Sequence, residues 1–177
     1  MPRLLTISGS LRTGSTNSTL LAAAARVAPS GIEVMPYTEL AALPAFSPDL
    51  DEDATAVPPA VAHWRAALSA ADAILFSSPE YAHGIPGAFK NALDWIVGSG
   101  ELVDKRVGLV CPSAASQFAH PQIVEVLTTM SAVVVPRATL VIDLPRRGLD
   151  VDRLANDPAV ASVLRGVILE LFDARSI

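Results

Sequence analysis

Arg3-Leu4-Leu5-Thr6-Ile7-Ser8-Gly9-Ser10-Leu11-Arg12-Thr13-Gly14-Ser15-Thr16-Asn17-Ser18 decides the fold. An apolar run of strand length ends at a glycine, and a hydroxyl-rich loop follows. Beyond it Leu20, Leu21 and Ala24 fall at helical spacing, which predicts a helix over Thr16 to Ala28. Between strand and helix the loop offers the hydroxyls of Ser10, Thr13, Ser15, Thr16 and Ser18, the Asn17 amide and the Arg12 cation. Free N–H groups at the start of a helix attract anions. A simple helix cap needs one hydroxyl; this loop has five and an arginine, the provision for a phosphate. Gly9 and Gly14 have the GxxxxG spacing of a nucleotide-binding P-loop, but Ser15 stands where that loop needs lysine. The run Thr139 to Asp143 resembles a magnesium-binding strand, a pattern common by chance. GxGxxG is absent. A terminal phosphate monoester, such as that of FMN, fits better.

The same alternation continues outward. Strands are expected at Arg3 to Ser8, Ile32 to Pro36, Ala73 to Ser77 and Arg106 to Cys111, with a fifth beginning at Val133 to Pro136. Helices are expected at Val61 to Ala71, Pro86 to Val97, Ala119 to Ser131 and Pro158 to Ala174, and a proline- and acid-rich loop at Leu43 to Pro59. Alternating strands and helices imply an α/β fold with a parallel sheet. The strands lack polar alternation, as expected when helices cover both faces. No repeat or domain boundary interrupts the 177 residues, so one domain is expected.

Composition narrows the function classes. Apolar residues make up 51% and charged residues 18%, which excludes a disordered chain. A net charge of −5 argues against nucleic-acid binding. The single cysteine, Cys111, excludes a disulfide framework and ends an apolar strand, where an inert buried thiol is expected. The run Leu4 to Ile7 is too short for a signal-peptide core, and no stretch reaches membrane-span length, so a cytoplasmic protein without a membrane partner is expected. His63, Trp64 and Arg65 read as a helix surface, His83 as a solvated loop residue, and Asp49, Asp51, Glu52 and Asp53 as a solvated run.

Ser77 to Gly87 joins the third strand to a helix at the same sheet edge as the first loop. It carries two prolines, two glycines, Tyr81 and His83, and suits a planar heterocycle. Gly9-Ser10-Leu11-Arg12-x-x-Ser15-x-Asn17-x-x-Leu20 resembles the GSxRxxSxNxxL motif of the NADPH-dependent FMN reductases. Pro79-Glu80-Tyr81-x-x-x-Ile85-Pro86-Gly87-x-x-Lys90-Asn91-Ala92-Leu93-Asp94-Trp95 is similar to their PEYNxSxPGxLKNAxDW motif. The likeness runs from Arg3 to about Pro136.

That resemblance implies a flavodoxin-like three-layer sandwich with a five-stranded parallel sheet, bound FMN, NADPH or NADH as co-substrate, and a homodimer or homotetramer. It assigns the FMN phosphate to Ser10, Arg12, Ser15, Thr16 and Asn17. It places the isoalloxazine against Pro79, Glu80, Tyr81 and Ala82, with Ser113 as the counterpart in a third loop. It implies hydride transfer to the flavin and on to a small acceptor: free flavin, a quinone, an azo compound or a metal oxyanion. The flavin carries the chemistry, so no catalytic residue and no metal ligand is assigned. Glu80 is also a candidate for pairing across a subunit interface, and the helix bearing Lys90, Asn91, Asp94 and Trp95 for a dimer seam. Three departures stand out. Ala82 replaces the family's asparagine, Gly84 its serine, and Pro112 to Phe118 lacks the longer glycine-rich turn of many relatives. Two other functions fit the loops: a flavodoxin-like electron carrier, and a phosphate-ester-binding module without turnover.

Overall fold

The computed structural model describes residues 1–51, 57–114, 116–144 and 149–173. Five strands, β1 (Arg3–Ser8), β2 (Glu33–Tyr37), β3 (Ala73–Ser77), β4 (Arg106–Cys111) and β5 (Val133–Val141), form one sheet in the order β2-β1-β3-β4-β5. All neighbours are parallel, with Ile7 opposite both Tyr37 and Phe76 in the centre. The helices are α1 (Thr16–Val27), α2 (Pro48–Asp51), α3 (Pro59–Ala70), α4 (Gly87–Asp94), α5 (Ala119–Thr129), α6 (Val151–Asn156) and α7 (Pro158–Phe172).

Successive strand residues point to opposite faces, so each strand feeds two cores. Leu5, Ile7, Ile74, Phe76, Val107 and Leu109 pack with α3, α4 and α5. Leu4, Ala73, Leu75, Val110, Val135 and Ala138 pack with α1, α6 and α7. This is the expected flavodoxin-like three-layer sandwich. The connection from β1 runs outward to β2 and then back across to β3. Strand order therefore reverses between β1 and β3, and such a reversal opens a crevice at the carboxyl ends of the strands.

Several boundaries differ from the sequence reading. β5 runs through Pro136 to Val141, because the register against β4 breaks: Val107 faces Val134, while Leu109 already faces Thr139. An edge strand with such an irregularity tolerates a proline. Gly108 lies under it; a Cβ there would sit 2.7 Å from the Ala138 carbonyl oxygen. Helix α6 was not expected; Asp150 caps it by accepting from the Arg153 N–H at 2.7 Å. Helix α4 stops at Asp94, and α2 forms inside the loop expected to be irregular.

The helix-surface reading of residues 63–65 fails for two of the three. Trp64 is fully buried, and its Nε1 donates to the Ala92 carbonyl at 2.9 Å. Arg65 donates from Nη2 to the Trp95 carbonyl at 2.6 Å and pairs with Asp51, so Asp51 is not a solvated charge. Glu52 and Asp53 lie outside the described residues. Trp95, proposed for a seam between subunits, has no exposed surface at all. With Asn91 it instead holds the loop after β2. Trp95 Nε1 and Asn91 Nδ2 both donate to the Pro44 carbonyl at 2.8 Å, and Asn91 Oδ1 accepts from the Phe46 N–H at 2.8 Å.

Candidate functional site

The loop from Gly9 to Ser15 leaves β1 at the strand-order reversal. Gly9 donates its N–H to the Ser77 carbonyl at 2.8 Å, which pins the loop against the end of β3. Gly14, at φ +64°, turns the chain into α1. Ser15 caps that helix: its Oγ accepts from the Ser18 N–H at 3.1 Å and lies 2.9 Å from Ser18 Oγ, which donates to Ser8 Oγ at 3.0 Å. This hydroxyl chain satisfies itself and fixes the loop. It leaves the N–H groups of Thr16 and Asn17, at the positive end of a twelve-residue helix, without an acceptor in the loop.

A cleft of about 310 Å³ opens beside them. Thr16 and Asn17 form one wall, Pro79 and Glu80 with Ser78 a second, and Ser113 with Ser116 a third. Cys111, Pro112 and Leu144 complete the lining. Three loops, after β1, β3 and β4, thus meet at one site. Of the ten sequence-assigned residues, the cleft brings together Thr16, Asn17, Pro79, Glu80 and Ser113. Ser10 and Arg12 line a larger groove, about 640 Å³, between α1 and β2 on the other side of the loop. The smaller cleft is the better candidate, because it joins all three loops at the reversal, whereas the larger groove meets only the first of them among the described residues. Asn17 is buried and accepts from the Ser77 hydroxyl at 2.9 Å, so its side-chain oxygen ties α1 to β3.

Two further features were hidden from the sequence. Cys111 is buried as expected, and its Sγ donates to the Ser113 carbonyl at 3.2 Å, but it also lines the cleft. Its place at the carboxyl end of β4 was the available signal. Second, the Glu80 carboxylate turns inward to the same chain. One oxygen accepts from the N–H groups of Phe118 and Ala119, at 2.7 and 2.8 Å, at the start of α5. The Ala119 N–H, followed by the Phe118 N–H, His83 and the Ser116 hydroxyl, holds this carboxyl below its ordinary range against the opposing effect of desolvation. The contact is therefore complete at neutral pH and weakens only as pH falls below the ordinary carboxylate range.

Tyr81 to Gly84 forms a tight turn. Tyr81 and Gly84 exchange N–H···O bonds of 3.1 and 3.0 Å, and Ala82 and His83 both have positive φ, 50° and 60°. Such turns favour asparagine or glycine at the two central positions. Alanine at the first explains the energetic content of the departure from the family pattern. Ala82→Gly is expected to raise stability by about 0.5–1 kcal/mol, the left-handed penalty for a Cβ less the entropy of glycine; urea unfolding checks it. His83 is exposed, as expected of a solvated loop residue, and its ring stacks on Phe118 with centroids 4.1 Å apart while its carbonyl accepts from Gln122 Nε2 at 3.0 Å.

Among the described residues no helix is long and apolar enough to cross a membrane. Residues 2–145 match the family model of the NADPH-dependent FMN reductases, a span that leaves α6 and α7 outside it. A probable NADPH:quinone oxidoreductase of Oryza sativa is 34% identical over 178 residues, covering 96% of this chain and 86% of that one. An NAD(P)H-dependent FMN reductase of Pseudomonas aeruginosa is 41% identical over 93 residues, 52% of this chain and 49% of that one. In structure the chain resembles FerB, a flavoenzyme NAD(P)H:acceptor oxidoreductase of Paracoccus denitrificans, with a TM-score of 0.71, 24% identity and 97% and 96% of the two chains covered. An azoreductase of Bacillus anthracis aligns with a TM-score of 0.62 at 17% identity, covering 97% of each chain. With its two loop motifs at the carboxyl edge of a flavodoxin-like sheet, this chain belongs to the NADPH-dependent FMN reductase family of oxidoreductases.

Proposed function

We propose that FMN lies across this three-loop cleft, with its phosphate on the β1–α1 loop and its ring between the loops after β3 and β4, and that the chain uses it to oxidise NADPH or NADH. The observation that carries this reading is that Thr16 and Asn17, whose N–H groups have no acceptor among the described residues, line a cleft that all three loops share. The residues present fit the group. The helix N-terminus and the Thr16 hydroxyl at the cleft wall suit a phosphate dianion, while Ser15 caps the helix and fixes the shape of the loop. Arg12, which lines the groove on the other side of the loop and has no anionic partner among the described residues, adds positive potential from that side. Pro79, Glu80, Tyr81 and Ala82 contribute main chain beside the ring, since the Glu80 carboxylate is committed to α5. Ser113 stands on the opposite wall, and Leu144 with Cys111 gives an apolar patch.

Bound FMN supplies the redox chemistry, accepting hydride from nicotinamide and returning electrons to a small acceptor. The chain's residues bind and orient. The stiff Pro79 segment and the self-satisfied Ser8–Ser18–Ser15 hydroxyl chain hold the two sides of the cleft at fixed separation. Quinones, free flavin and azo compounds are the acceptor classes this reading admits.

Steady-state oxidation of NADPH and NADH by the FMN-loaded chain, with a quinone as acceptor, tests the proposal. Turnover with at least one nicotinamide is expected. An FMN-loaded chain with no turnover with either would support an electron carrier instead.

The chain is further read as a homodimer. Val97, 64% exposed, lines a groove of about 430 Å³ with Phe46 and Pro48, and Leu50, 38% exposed, lies on α2 beside it. An exposed apolar face of this kind is where copies associate, and it replaces the buried Trp95 as the candidate seam. Sedimentation of the purified chain checks it, with a monomer the contrary result.

A further inference from the structure

Glu80 does more than end the second loop. Its carboxylate reaches the first residues of α5, while its main chain follows Pro79 on the second wall. Both N–H groups it accepts, those of Phe118 and Ala119, converge on a single oxygen. The Ser116 hydroxyl, on the same connection, also favours the charged form of this carboxyl. Around this centre lie two more ties between the same pair of segments: the His83–Phe118 ring stack and the bond from Gln122 to the His83 carbonyl. The connection from β4 to α5 has no glycine to mould itself round a ligand, and α5 has no capping side chain of its own at Phe118. The second wall thus holds the α5 end of the third, whose β4 end is held by the Cys111 Sγ bond to the Ser113 carbonyl and by the Ala114 N–H bond to Asp143.

We propose that Glu80 is a positioning residue for the flavin site, clasping the β4–α5 connection to the β3–α4 loop so that Ser113 and Ser116 face the cofactor. This rests on the FMN reading above. The carboxylate acts by its reach and by its capacity to accept two N–H bonds. Its charge near the ring is incidental.

Reach and charge separate cleanly by substitution. Glu80→Gln keeps the reach and places a carbonyl oxygen where the accepting oxygen stands, and it removes the charge. Its amide can donate to Ser116. Glu80→Asp keeps the charge and falls one methylene short. Glu80→Ala removes both. The FMN dissociation constant of each, read by quenching of flavin fluorescence, is compared with that of the unaltered chain. Amide hydrogen exchange at Phe118 and Ala119 is followed in parallel without FMN.

The clasp predicts that Gln stays within about threefold of the original affinity, while Asp and Ala both weaken FMN by about tenfold or more, the order expected for loss of one to two hydrogen bonds. It also predicts that protection at Phe118 and Ala119 survives in Gln and falls in Asp and Ala. Gln grouping with Ala while Asp keeps full affinity would overturn it in favour of a charge effect. Unchanged affinity in all three would overturn it outright. If the unaltered chain binds no FMN, the functional reading fails, and the proposed role at a flavin site falls with it. The exchange data then show whether the clasp itself exists. Aspartate and alanine give the same reading by different chemistry, so a failure of one to fold leaves the test intact.

Discussion

Trp95→Ala is expected to lower the unfolding free energy by about 3–5 kcal/mol, the range for removing a fully buried tryptophan. The indole has no exposed surface, and Phe46 meets it edge-on with centroids 5.1 Å apart. Its Nε1 is one of two donors to the Pro44 carbonyl, the other being Asn91. Truncation therefore opens a cavity and also loosens the segment from Pro44 to Phe46. Trp95→Phe keeps most of the ring and loses one donor, so a smaller loss of about 1–2 kcal/mol is expected. Urea unfolding of both variants measures the difference. A Trp95→Ala chain within 1 kcal/mol of the original, roughly a surface-substitution effect, would contradict the clamp and return Trp95 to the surface role that its sequence spacing suggests.

Gly9→Ala is expected to destabilise the fold by about 1–3 kcal/mol, the range for overpacking, and to weaken FMN as well. A Cβ on Gly9 would lie 2.5 Å from Ser78 Oγ and 2.9 Å from Phe89 Cδ1. Ser78 and Phe89 are both buried, Phe89 completely, so neither can swing clear into solvent. Relief has to come from the backbone, by parting the β1 loop from the β3 loop at the point where the Gly9 N–H reaches the Ser77 carbonyl. That parting changes the spacing of two cleft walls together. The measurement is paired: urea unfolding for stability and FMN fluorescence titration for the site. An alanine variant with unchanged values in both would contradict the close approach of the two loops.

Much of the fold was legible because strands buried on both faces announce themselves as continuous apolar runs. Ala73 to Ser77 and Arg106 to Cys111 end where the sequence places them. Proline misled at β5: Pro136 ordinarily closes a strand, but a register break at the sheet edge accommodates it. Helix periodicity alone did not tell the inward face of α3 from the outward one, so Trp64 was misplaced. The loops that meet at the cleft were legible, since each follows a strand at the same sheet edge and carries residue types suited to a ligand. Their side-chain commitments were not. That Glu80 turns to α5, that Asn17 serves Ser77 and that Asn91 and Trp95 serve Pro44 are long-range facts, spanning 38 to 60 residues of chain. Nothing local in the sequence records them.

The central claim is that the β1–α1 loop holds the phosphate of FMN. It is tested most directly by titrating the purified chain with FMN and with riboflavin, which differ only in that phosphate, and following flavin fluorescence. The loop geometry predicts that FMN binds at micromolar or lower concentration (about −8 kcal/mol or better) and that riboflavin binds at least about a hundredfold more weakly, the worth of two charge-assisted hydrogen bonds. Equal affinity for the two flavins, or no binding of either, would contradict it.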